Sequence, residues 1–137
     1  MGTRALVDVL DRDNRVLVRI YSQYDGYPDE LGIEIAKPLA NSRIVNGFRV
    51  GQDNPEVFNG MEDLAAWLVM YLKQNVTKVG GGTIGTIYIY PRIPIDLIDY
   101  HYRVFEKDGR VWMSVLDCED ELLFEGPAKE FLEQFPK

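Results

Sequence analysis

At 137 residues, with 46% hydrophobic and 27% charged side chains, the chain reads as a single folded domain over residues 1–137, with no room for long disordered tracts. A formal charge of -7 argues against a sequence-independent grip on DNA or RNA, which needs a cationic footprint. No apolar run reaches the roughly 18 residues of a membrane span, no basic and apolar leader opens the sequence, and the lone Cys118 has no internal disulfide partner, so a reducing cytoplasm is the expected setting.

Ala5 to Leu10 and Val16 to Tyr21 alternate as two strands around a turn rich in Asp and Asn. With Asp13-Asn14 as a two-residue turn, Val9 faces Val18 and Val7 faces Ile20 on a core side, while Asp8 faces Arg19 on the other. That second side also carries Leu6, Leu10, Leu17 and Tyr21, too apolar for a plain solvent face, so a helix or a second subunit is expected to cover it. Asp29 is placed to cap a helix with Leu31, Ile35 and Leu39 on one stripe, which Pro38 ends or kinks. A long connection from Asn41 to Asn59 follows, with Ile44, Val45, Phe48 and Val50 as a short strand.

The spacing of Leu64, Trp67, Leu68, Tyr71 and Leu72 predicts a helix over 60–75, with Asn59 as N-cap and Glu62 completing a capping box. Gly80-Gly81-Gly82 is a joint before a strand over Ile84 to Tyr90. The lack of a following Lys-Ser/Thr, and the strand where a helix is needed, argue against a phosphate loop there. Tyr100 to Glu106 and Val111 to Asp117 form a second hairpin about Asp108-Gly109, with Tyr102, Val104, Met113 and Val115 on one face. His101, Arg103 and Phe105 lie opposite Trp112, Ser114 and Leu116 on the other. A strand over Leu122 to Glu125 and a helical turn with Phe131, Leu132 and Phe135 close the chain. The expected fold is α+β: a mainly antiparallel sheet of two hairpins plus a middle strand, with two to three helices packed on it, in the order ββααβββ(α).

Taken together, GTRALVDVLD, VRIYSQYDGYPDELGIEIAKPL, NGMEDLAAWLVMYLK, GTIYIYP, YHYRVFEKDGRVWMSV and LLFEGP resemble a family of small, uncharacterised bacteriophage and bacterial proteins. Its most specific elements are the loop Tyr24-Asp25-Gly26-Tyr27-Pro28 and Asn59-Gly60-Met61 at the helix start. The chain departs from the pattern after Pro28, with Asp29-Glu30-Leu31 where further Gly or His is usual. The resemblance implies a viral or mobile-element origin and a bacterial cytoplasm, with no established reaction.

Chemistry-bearing residues are sparse. No nucleophile elbow accompanies His101, and the acidic residues around Cys118 blunt a thiolate, though the hairpin register brings Cys118 diagonally across from His101 and leaves such a dyad open. Asp11-Arg12-Asp13-Asn14-Arg15 begins like a calcium loop and fails at its fifth and sixth positions, and zinc lacks a second His or Cys. No catalytic residue, metal or cofactor is therefore expected. Tyr21, Tyr24 and Tyr27 around Asp25 and Gly26 suit stacking of a base, and a helix start at Asn59-Gly60 suits a phosphate, with Arg19 and Arg103 as cations. The competing reading is a rigid strand-to-helix turn with packing tyrosines.

These nine residues (Arg19, Tyr21, Tyr24, Asp25, Gly26, Tyr27, Asn59, Gly60 and Arg103) are the expected site of a non-enzymatic binding protein. Its expected ligand is a small anion, by analogy with small phage proteins a cyclic nucleotide immune signal that is sequestered. The chain is also expected to form a homo-oligomer; the alternative function is a protein-protein adaptor or inhibitor of a host protein acting through the Phe105/Trp112 face, or a structural phage protein. Neither a nucleic-acid polymer nor a membrane is an expected partner.

Overall fold

The computed structural model describes residues 2–45, 57–76, 86–90 and 98–136. Strands β1 (Ala5–Leu10) and β2 (Val16–Ser22) form the first hairpin, with Val7 opposite Ile20, Asp8 opposite Arg19 and Val9 opposite Val18, as expected. The turn differs by one residue. The Asp11 carboxylate accepts the N–H groups of Asp13 (2.8 Å) and Arg15 (2.9 Å), and Asn14 takes a left-handed φ of 62°. This closes a three-residue loop with a bulge beside Leu10, a common hairpin solution. The bulge pairs Leu10 with Val16 and leaves Leu17 packed against the core. Asp117 repeats the device at a later turn, accepting N–H groups from Glu119 and Glu121 while Asp120 sits at φ 60°. The calcium-like start and the later acidic run thus each supply the carboxylate that closes a turn.

A π-helical turn over Pro28–Gly32 leads into α1 (Ile33–Leu39). Leu31, Ile35 and Leu39 are buried as their spacing required, but Asp29 lies inside the first turn and does not cap it. Short strands β3 (Arg43–Val45) and β4 (Val57–Asn59) flank a connection outside the described residues, which includes the expected strand positions Phe48 and Val50. Helix α2 covers Gly60–Asn75, the predicted span. Asn59 makes no side-chain cap; Gly60 turns at φ 80°, and the Asp63 carboxylate accepts the Asn59 N–H at 2.9 Å. β5 (Ile87–Ile89) is the described part of the middle strand, and the triple glycine lies outside the described residues. The second hairpin, β6 (Tyr100–Lys107) and β7 (Arg110–Asp117), turns at Asp108 and Gly109, both with positive φ, in the expected register. β8 (Leu122–Pro127) and α3 (Ala128–Gln134) follow.

The described strands make one sheet in the order β4-β3-β7-β6-β1-β2-β5, with β8 also on β7, curled into a half-barrel. The expectation of a mainly antiparallel sheet is corrected: β1 pairs with β6 in parallel, and so does β3 with β4, giving a mixed sheet. Each hairpin is antiparallel because its turn is local. The two hairpins meet through strands far apart in sequence, and the intervening helices and strands form the long crossover that parallel pairing needs. The order ββααβββ(α) likewise lacked three of the eight described strands, the two between the helices and β8.

All the helices contribute to one core, with Ala5, Val7, Val9, Ile20, Tyr102, Val104, Met113, Val115 and Phe124 supplying the sheet side. The Tyr-Asp-Gly-Tyr-Pro loop is pinned to it. Gly26 donates its N–H to Thr3 at 3.0 Å and accepts the Tyr102 hydroxyl at 2.6 Å, and the Asp25 carbonyl accepts the Leu31 N–H. Burial drives the Tyr102 phenol pKa well upward, so the hydroxyl stays a donor. Tyr102→Phe orphans this carbonyl and is expected to cost about 1–2 kcal/mol, read as a lower urea midpoint at unchanged slope.

Candidate functional site

Because side chains alternate along a strand, the residues that do not enter the core share the opposite sheet face. Among the described residues no helix packs on that face, yet Leu6 and Asp8 there are each only 2% exposed. Strand registers align one polar row across it. Glu125 stands opposite Ser114, Ser114 opposite Arg103, Arg103 beside Asp8, and Asp8 opposite Arg19. His101 lies two residues from Arg103, beside Leu6. On the other side of the row come Leu10, Val16 and Phe105.

Asp8 is the centre of this row. Arg19 grips it with two hydrogen bonds, Nε to Oδ1 at 2.6 Å and Nη2 to Oδ2 at 2.8 Å, and His101 Nε2 lies 2.8 Å from Oδ2. Burial pulls the Asp8 pKa upward, but the hydrogen bonds and charges of Arg19 and His101 prevail and hold it below the ordinary carboxylate value. An ionised carboxylate only accepts, so the shared proton sits on His101 Nε2 and the Asp8–His101 contact fixes the ring. Arg19 is in turn held as a guanidinium, chiefly by its hydrogen bond to Asp8.

Above this network opens a cavity of about 480 Å³, within the range of small-molecule sites. Its polar lining is Asp8, Arg19, His101, Arg103, Ser114 and Glu125, with Asn14 from the first turn; Leu10, Val16 and Phe105 form its apolar end. Arg103 is exposed and, among the described residues, forms no ion pair, while both oxygens of its neighbour Asp8 are engaged by Arg19 and His101. The arrangement can hold an anion beside Arg103 over a fixed, nearly neutral floor.

No family model, curated protein or solved structure matches this chain. The site is therefore read from its geometry.

Of the nine expected contact residues, only Arg19 and Arg103 line the cavity. Tyr21 shares their face, one residue pair along, with its ring 6.0 Å from Tyr88 and 5.7 Å from Tyr90. Tyr24 and Tyr27 are exposed, Tyr27 lying 6.0 Å from the Tyr100 ring, while Asp25 and Gly26 serve the docking of their loop. Asn59 and Gly60 do not join that loop. Gly60 borders Asp11, Arg12 and Asp13 at the far end of β1, whereas Gly26 touches Ala5 at its near end. Cys118 sits on the exposed β7–β8 turn, and the hydrogen-bond partner of His101 is Asp8. Asp8, His101, Phe105, Ser114 and Glu125 were missing from the expected site. Their signal was the shared face of two hairpins, but only the parallel register between β1 and β6 joins those faces. No helix among the described residues is long and apolar enough to cross a membrane.

Proposed function

We propose that this protein binds a small anionic ligand in the cavity on the sheet face opposite the core, with Arg103 meeting the anion and the Asp8–Arg19–His101 network as its rigid floor. The observation that carries this reading is a cation in a concave site with no carboxylate partner among the described residues, next to a carboxylate already engaged by Arg19 and His101. A buried, preorganised charge network costs desolvation that an apolar sheet face would avoid, and such networks concentrate where a ligand is handled. The nucleotide signal suggested by sequence analogy falls within this ligand class.

Titration with inorganic phosphate and with AMP, followed by calorimetry, tests the reading. Arg103→Ala is expected to weaken AMP at least tenfold while leaving stability within about 0.5 kcal/mol, since the side chain is exposed and, among the described residues, forms no ion pair. Unchanged affinity in that variant sinks the assignment. Heating the complex then separates capture from turnover: AMP recovered whole supports a binding protein, and cleavage products indicate an enzyme.

A further inference from the structure

Resting on that reading, we infer that the ligand carries one anionic group joined to a planar apolar ring, with the ring seated on Phe105. The cavity lining divides along the strand direction. In the direction of β1 and β6, which run parallel, His101 comes first, then the row of Asp8, Arg19, Arg103, Ser114 and Glu125, and then Leu10, Phe105 and Val16, with Asn14 of the first turn at the edge of that apolar end. A polar and an apolar half are thus offset by two residues, about 7 Å along a strand. That is the separation of a charged head from an attached ring.

The charge inventory limits the head to one group. The charge of Arg19 is paired with Asp8 through its two-bond grip, and the Nε2 proton of His101 is directed at the same carboxylate. Arg103 remains as the cation able to meet an incoming anion. Glu125 on the same row opposes a second negative charge.

Phe105 is the aromatic side chain in the lining, half-buried and braced by Trp112 at 6.3 Å between ring centroids. Trp112 is itself held, with Lys107 Nζ 4.3 Å from its ring centroid. Braced aromatic surface next to Leu10 and the exposed Val16 is suited to a flat ring, which stacks at little entropic cost. Volume agrees. About 480 Å³ is enough for a ring and one head group.

Methyl phosphate and phenyl phosphate share a head and differ in the ring, so their affinities for the intact protein isolate the ring subsite. Phenyl phosphate is expected to bind at least tenfold more tightly. Phe105→Leu, which keeps apolar bulk without the ring, is expected to bring the two within about threefold while methyl phosphate is unchanged. Equal binding of both esters by the intact protein, or an undiminished phenyl advantage in Phe105→Leu, overturns the ring subsite and leaves the anion site standing. Failure of both esters to bind, or phenol binding as tightly as phenyl phosphate, overturns the anion site itself. A cyclic dinucleotide that binds more tightly than AMP overturns the single-head limit.

Discussion

Asp8→Ala is expected to lower stability by about 3 kcal/mol, a fall of about 10 °C in Tm for a chain of this size. The carboxylate side chain is 3% exposed and its removal strands the Arg19 guanidinium, itself 13% exposed, with both of its hydrogen bonds lost. A largely buried charge that loses its partner is costly because it keeps its desolvation without the compensating hydrogen bonds. Thermal unfolding of the variant measures this, and a loss under about 1 kcal/mol would show that the pair is not the anchor its geometry suggests. The same group sets an acid limb. The folded pKa of Asp8 lies below its unfolded value, so its stabilisation is fully present above about pH 4 and fades as pH falls through the folded pKa. Asp8→Asn, which cannot titrate, is expected to show a flatter stability profile below about pH 4. A parallel acid limb in both proteins would assign the acid sensitivity elsewhere.

The second large effect is expected at Gly32, where the π-helical turn passes into α1. A Cβ here would overlap the Phe131 ring, 2.8 Å from Cε1, and lie 3.2 Å from Tyr102 Cε1. Phe131 cannot step aside, because Phe124 stands edge-on at 5.2 Å and Phe135 lies 4.7 Å away. Overpacking of this kind costs about 1–3 kcal/mol, more than the gain of up to about 1 kcal/mol from replacing glycine by alanine in a helix. Gly32→Ala is thus expected to lose about 2 kcal/mol in urea unfolding. Phe131→Leu makes room for the methyl group, so the double variant should be more stable than the two single losses predict. Simple additivity would mean that the clash is relieved by backbone movement instead.

Much of the local structure was legible. Asp108-Gly109 specifies a two-residue turn because both positions need positive φ, and that register ran true along the whole of β6 and β7. The stripe Leu64, Leu68, Leu72 placed α2 over its observed span because one face had to be buried. The first hairpin was legible up to Leu10. There Asp11 preferred to satisfy two backbone N–H groups with its own carboxylate, which adds a loop residue and turns Val16 into the cavity. The cap at α2 failed for a similar reason: Gly60 and Asp63 offered the backbone another closure.

The candidate site divides the same way. That Asp8 meets Arg19, that His101 and Arg103 share a face, and that Phe105 stands across from Trp112 all follow from sequence, since each is a pairing inside one hairpin and side-chain alternation has a period of two. What only the tertiary structure decided is that β1 lies parallel to β6, which sets His101 on Asp8 and Arg103 beside it, and that Asn59 lies at the opposite end of β1 from the Tyr-Asp-Gly-Tyr-Pro loop. Pairing between strands more than 90 residues apart is selected by how the whole core packs, and no turn or period near either strand encodes it.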